Sequence, residues 1–233
     1  MLQIRSSTAA IAALLVLSLG DVARAQAAKG AYPSMAPIAQ YQVVSQAEEV
    51  ALARSAAPAS ISNDAEVLIL GARGYESAAR GKNGFVCIVE RAWASDFDDA
   101  EFWNPKLRAP ICFNPASVRS VLPTYLKRTE WILAGASKAE MVERTKAAIA
   151  AKEIAAPEVG AMCYMMSKGG YLSDAAGGHW HPHLMFFVPR TEAAAWGANL
   201  PGSPVMGGGG GLDPATVFFT LAPNWSDGTS AAM

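Results

Sequence analysis

The sequence predicts an α+β domain, an antiparallel sheet with helices packed on one face. Three observations lead there. Ser45 with Glu48, and Ser137 with Glu140, form S-x-x-E pairs in which the serine oxygen takes a free backbone N–H and the glutamate reaches back, the signature of a helix start. Short runs of β-branched and aromatic residues bounded by glycine and asparagine read as strands. The elements also come in blocks: a helix, three strands, a helix, a segment open to either state, a helix, then two strands and a final strand. That is the order of an α+β chain and not of alternating βα units.

The first 25 residues stand apart from that domain. Arg5 precedes an apolar stretch from Ala9 to Leu19, and Ala23-Arg24-Ala25 supplies the small-x-small pattern of a cleavage site. Residues 1–25 therefore read as a secretory signal peptide whose removal leaves Gln26 first. The stretch is shorter than the roughly 20 apolar residues of a membrane-spanning helix, so no integral membrane segment is expected after cleavage. The expected location is periplasmic or extracellular. Residues 26–44, rich in Ala, Pro, Ser and Gly, read as a flexible lead-in, and 45–233 as a single domain long enough to bury a sizeable core.

Within the domain each element has a local cause. Ser45 opens a helix that Pro58 closes. Glu66–Leu70, Tyr75–Ala79 and Phe85–Arg91 are three strand-like runs; the Asn83-Gly84 dipeptide suits a tight hairpin turn, which predicts an antiparallel meander. Residues 94–114 carry Asp96, Asp98, Asp99 and Glu101 beside Phe97, Phe102 and Trp103. They lack the glycine and distal glutamate of a calcium loop, so a solvated acidic loop pinned by its aromatics is expected. Asn114 caps a short helix with Pro115 at its first position, ended by Pro123. Tyr125 to Ala134 suits strand or helix. Ser137 opens a helix running to about Ile154, with Met141, Val142, Thr145, Ala148 and Ile149 on one face. Ala161–Ser167 reads as a methionine-rich strand paired with one that begins at the histidines. A helical turn at Thr191–Trp196, a glycine loop at 207–211 and a strand at Thr216–Leu221 complete the chain.

Composition narrows the partners. Cleavage takes Arg5, Arg24 and Asp21 from the 19 basic and 20 acidic residues, leaving a net charge near −2. That is neither the basic footprint of a nucleic-acid binder nor a polybasic segment for anionic lipid. Of Cys87, Cys112 and Cys163 the first two are the expected bridge, with three buried thiols as the alternative. There is no G-x-S-x-G elbow, H-E-x-x-H pair or P-loop lysine motif. A hydrolase using a histidine with Ser167 or Ser173 would have to be recognised by geometry.

The chemical signal is the segment His179-Trp180-His181-Pro182-His183, which holds all three histidines of the chain. On a strand these side chains share a face at a spacing of about 6.5–7 Å, so adjacent members can converge on one ion. The outer two require a bend, for which Gly177, Gly178 and Pro182 are suited. Cys163, Met165 or Asp174 would otherwise complete the site. Imidazole suits zinc, and imidazole with the thioethers of Met162, Met165, Met166 and Met185 suits copper. Two functions follow as expectations. One is an exported protein binding a transition metal through His179, His181 and His183. The other is a non-catalytic domain that binds a small molecule or a protein partner.

Overall fold

The computed structural model describes residues 32–175, 177–178, 180–208 and 211–231. The expected signal peptide, the first part of the expected lead-in and His179 lie outside the described residues. Among the described residues there are five α-helices, α1 (Gln46–Arg54), α2 (Ala59–Ser62), α3 (Pro115–Ser120), α4 (Leu122–Leu133) and α5 (Lys138–Ala150), and eight strands, β1 (Glu66–Leu70), β2 (Tyr75–Ala79), β3 (Val86–Glu90), β4 (Ala109–Phe113), β5 (Met162–Met165), β6 (His183–Pro189), β7 (Met206–Gly208) and β8 (Ala215–Leu221). They form one sheet in the order β2-β1-β3-β4-β5-β6-β8-β7, with β1 and β3 parallel and every other pair antiparallel. The fold is α+β, as predicted.

Local chemistry accounts for most boundaries. Ser45 Oγ accepts the Glu48 N–H to start α1, and Ser137 with Glu140 closes a full capping box at α5. Asn114 accepts the Ser117 N–H ahead of Pro115. Pro123 does more than end α3, because it occupies the first turn of α4, where a missing N–H costs nothing. That settles the ambiguous stretch from Tyr125 as helix. The packed chain also begins before Ser45: a 3-10 turn at Ile38–Tyr41 buries Tyr41 completely.

Two expectations are overturned. The first three strands are not a meander, since β3 runs parallel to β1 on the side away from β2. The Gly81–Gly84 connection carries the chain back to the start of β1, where the Lys82 N–H donates to the Asp64 carbonyl and Asn83 Nδ2 to the Ile61 carbonyl. Gly81 permits this approach, because a Cβ there would stand 2.1 Å from the Glu66 nitrogen. The helices, moreover, flank both faces of the sheet instead of one. Alternate residues of a strand face opposite ways, and Cys87 and Cys112 pack under α1 with Ala53, whereas Ile88, Ile111 and Phe113 pack against Val121 and Leu122 at the junction of α3 and α4. A central strand covered on both faces shows no polar alternation, and β4, buried throughout, is one.

Cys87 and Cys112 are directly paired across β3 and β4 and form the expected disulfide, while Cys163 is a buried free thiol. Among the described residues no helix is long and apolar enough to cross a membrane.

Candidate functional site

Past the end of α4's contact, the second face of the sheet opens into a cavity of about 330 Å³. Its floor is apolar: Met165 from β5, Met185 and Phe187 from β6, and Val217 and Phe219 from β8. Strand alternation places all five on one face, since each sits two or four residues from the next inward side chain of its strand. The opposite wall comes from α4, whose Tyr125 and Arg128 lie at i,i+3 and therefore on one side of the helix.

The polar end is built around Glu90, the last residue of β3. It follows Val86 and Ile88 on the inward parity of the strand and is only 8 % exposed. Burial pushes its pKa up to about 8, against a smaller opposing effect of the Tyr125 hydroxyl, so the carboxyl is largely neutral at pH 7. Its Oε1 has no hydrogen-bond partner. Tyr125 is itself driven well above the ordinary phenol range by burial, and by the charges Glu90 and Cys163 would carry, and stays neutral.

Arg128 is buried and heavily engaged. Nη2 pairs with Asp213 Oδ1 at 2.9 Å, and Nη1 donates to the Ala94 and Ser95 carbonyls at 3.1 and 3.2 Å. Its guanidinium lies 4.6 Å from the centre of the Phe97 ring, and Nε alone is left without a partner. Asp96 stands at the rim, its pKa raised by partial burial and by the neighbouring Asp213 and Asp98.

His183 opens β6 and lines the same cavity. Its ring meets Trp180 and Phe219 edge-on at centroid distances of 5.7 and 5.8 Å. Nδ1 lies 2.8 Å from the His181 carbonyl oxygen. A carbonyl can only accept, so Nδ1 carries the proton and the lone pair of the neutral ring sits on Nε2. Burial holds the pKa below the usual imidazole value, against a smaller raising effect of that bond.

The histidine segment is thus divided. His181 precedes the strand and is exposed, His183 is half-buried in the cavity wall, and His179 lies outside the described residues. Of the proposed additional ligands, Met165 pairs directly across from His183, and Cys163 lies two pairs further along, opposite Met185. Asp174 is committed elsewhere, to Lys106 at 3.1 Å and to the hydroxyls of Tyr32 and Tyr171. Among the described residues no three His, Cys, Asp or Glu side chains are grouped to hold a metal ion. The two serines are also taken, Ser167 by Ser55 at 2.6 Å and Ser173 by Glu101 at 2.9 Å.

The acidic loop is only partly solvated. Asp98 and Asp99 are exposed, but Glu101 turns inward and accepts the Ser173 hydroxyl, the Asp174 N–H and Asn104 Nδ2. Burial raises its pKa, yet these bonds outweigh it and hold the carboxyl below its ordinary value. Glu101 thereby fastens the loop that brings Leu172 to the cavity edge. Comparison with protein-family models, curated proteins and solved structures finds no match to this chain.

Proposed function

We propose that the protein is an exported domain that binds a small molecule in the cavity between β6, β8 and α4. The observation that carries this reading is Glu90. A buried carboxyl oxygen without a partner costs on the order of 1–3 kcal/mol, and buried polar groups are nearly always satisfied. The adjacent residue shows that the fold is able to satisfy a buried charge: Arg91, fully buried, is bonded to Glu49, to the Tyr41 carbonyl and to the Val89 carbonyl. A buried acid with one oxygen free at the end of an apolar cavity is the arrangement of a ligand site, in which a few polar groups orient a molecule held by apolar walls. The Cys87–Cys112 disulfide supports export, because such bonds persist in oxidising compartments.

Thermal unfolding against a set of small amphiphilic molecules tests the site. A true ligand at about a hundred times its Kd should raise the Tm by about 5–10 °C. The shift should vanish in Val217→Trp, whose added ring fills the cavity. An equal shift in that variant, or none in the wild-type protein across the set, refutes the assignment.

A second reading, a transition-metal site for zinc or copper, is favoured by one observation. Met165 faces His183 across the β5–β6 pair and Met185 lines the same cavity, so thioethers and the free Nε2 of an imidazole share one wall. On this reading His183→Ala abolishes stoichiometric metal, whereas His181→Ala, at an exposed position, leaves it nearly unchanged. Elemental analysis of the tag-free protein and both variants decides it; a parent without metal after reconstitution, or equal loss in both variants, sinks it.

A further inference from the structure

We propose that the cavity takes an organic cation, a protonated primary amine on a small apolar body, with Glu90 as the group that receives its ammonium. This rests on the reading of the cavity as a ligand site. The first support is the balance of charge. Glu90, Asp96 and Asp213 line the cavity against a single guanidinium, Arg128. That guanidinium is spent: Asp213 neutralises it, and two backbone carbonyls take its remaining Nη1 bonds. An anionic ligand would find only the Nε–H of Arg128 and two uncompensated acids, whereas an ammonium finds acceptors.

The second support is Glu90 itself, more than nine-tenths buried, lining the cavity, with Oε1 unpartnered. Other titratable groups act around it. Tyr125 comes from α4, Cys163 from β5 and Tyr75 from β2, all neutral by virtue of burial. His183 on β6 is held neutral in the same way. None of these offers Glu90 a cation, and Arg128 already has its carboxylate. An arriving ammonium is therefore the partner that makes ionisation of Glu90 favourable. The walls suit the remainder of such a molecule, since Phe187 and Phe219 present apolar surface, and aromatic faces attract alkylammonium groups. The volume, about 330 Å³, lies at the lower end of small-ligand sites, roughly 300–1,000 Å³. It calls for a small ligand.

The proton balance is explicit. The amine enters as R–NH3⁺ and keeps its proton, the O–H bond of the Glu90 carboxyl breaks, and that proton passes to solvent as the ammonium–carboxylate pair forms. Binding at pH 7 should then release nearly one proton per ligand.

Titration calorimetry at pH 7 in two buffers of different ionisation enthalpy reads both affinity and proton release. The probes are 2-phenylethylamine, its neutral counterpart 2-phenylethanol and the anion 3-phenylpropionate. The wild-type protein is expected to bind the amine at least tenfold more tightly than the alcohol and to release close to one proton. In Glu90→Gln, amine affinity should fall tenfold or more and proton release should disappear, while alcohol affinity stays within threefold. In Asp96→Asn, amine affinity should fall only severalfold with proton release retained. Tighter binding of the carboxylate, amine binding too weak to measure, or equal amine affinity in wild type and Glu90→Gln overturns the proposal. Alcohol binding that Val217→Trp abolishes, with no advantage to the amine, rejects the cation and leaves the cavity reading standing.

Discussion

Glutamine at position 90 should make the protein more stable than the wild type in alkaline solution while leaving it nearly unchanged at pH 5. The sign follows from linkage. Burial raises the Glu90 pKa from 4.5 to about 8, so between these values the folded protein holds a proton that the unfolded chain has released. Stability therefore falls as pH rises. The slope approaches about 1.4 kcal/mol per pH unit, and the loss from pH 5 to pH 8 comes to roughly 3 kcal/mol. The contribution is complete below the unfolded value and gone above the folded one. Glutamine keeps the shape of the neutral carboxyl and cannot ionise. His183 acts in the opposite sense, because its lowered pKa means that protonation favours the unfolded chain and stability returns as pH rises past 6.5. Both proteins share His183, so their difference isolates Glu90. Urea unfolding at pH 5, 6.5 and 8.5 measures it. Parallel pH profiles would mean that Glu90 is ionised and compensated in the fold, and the proposed ligand site would lose the unpartnered acid on which it rests.

The elements with local punctuation were readable from the chain. Capping at Ser45, Asn114 and Ser137 placed three helix starts, and glycine-bounded apolar runs placed β1, β2 and β3 within a residue or so. Pairing was not readable. The Asn83-Gly84 turn has the composition of a hairpin, but its polar atoms bond back to Ile61 and Asp64, and that long-range choice makes β3 parallel to β1. Ala109–Phe113 carries no strand signal in the sequence, because a strand buried on both faces has no polar period.

The candidate site was legible in part. Three histidines in five residues drew attention to the start of β6, where His183 lines the cavity, and the partnership of Met165 with His183 follows from the expected hairpin. Backbone geometry then divided the cluster, since β6 begins only at His183. Glu90 left a fainter trace. It falls at the third inward position of a strand whose other inward residues are Val86 and Ile88, and a carboxylate on that parity is a buried acid wherever the strand proves central. Recognising it required knowing that both faces of β3 are covered.

Arg91→Met should destabilise the protein by about 3–5 kcal/mol, the usual consequence of removing one member of a buried ion pair. Arg91 and Glu49 are 0 % and 6 % exposed at their side chains and meet at 2.8 Å. Glu49 Oε1 also accepts the Leu70 N–H at 3.1 Å, so α1 is tied to β1 and to the end of β3 through one carboxylate. Arg91 Nε reaches the Tyr41 carbonyl at 2.6 Å, and the Tyr41 hydroxyl donates to the Trp103 carbonyl at 2.8 Å, which adds the segment before Ser45 and the acidic loop to the same assembly. Methionine matches much of the arginine stem but leaves the Glu49 charge buried with a single N–H. The penalty thus comes from the abandoned acid more than from the missing base. If so, Arg91→Met combined with Glu49→Gln should recover at least half of the loss, because the second change removes the uncompensated charge. Urea unfolding of the wild type, both single variants and the double variant measures the coupling. A single-variant loss below about 1 kcal/mol, the range of exposed pairs, or a double variant no more stable than Arg91→Met, would show that the ion pair does not hold α1 and the N-terminal segment on the sheet.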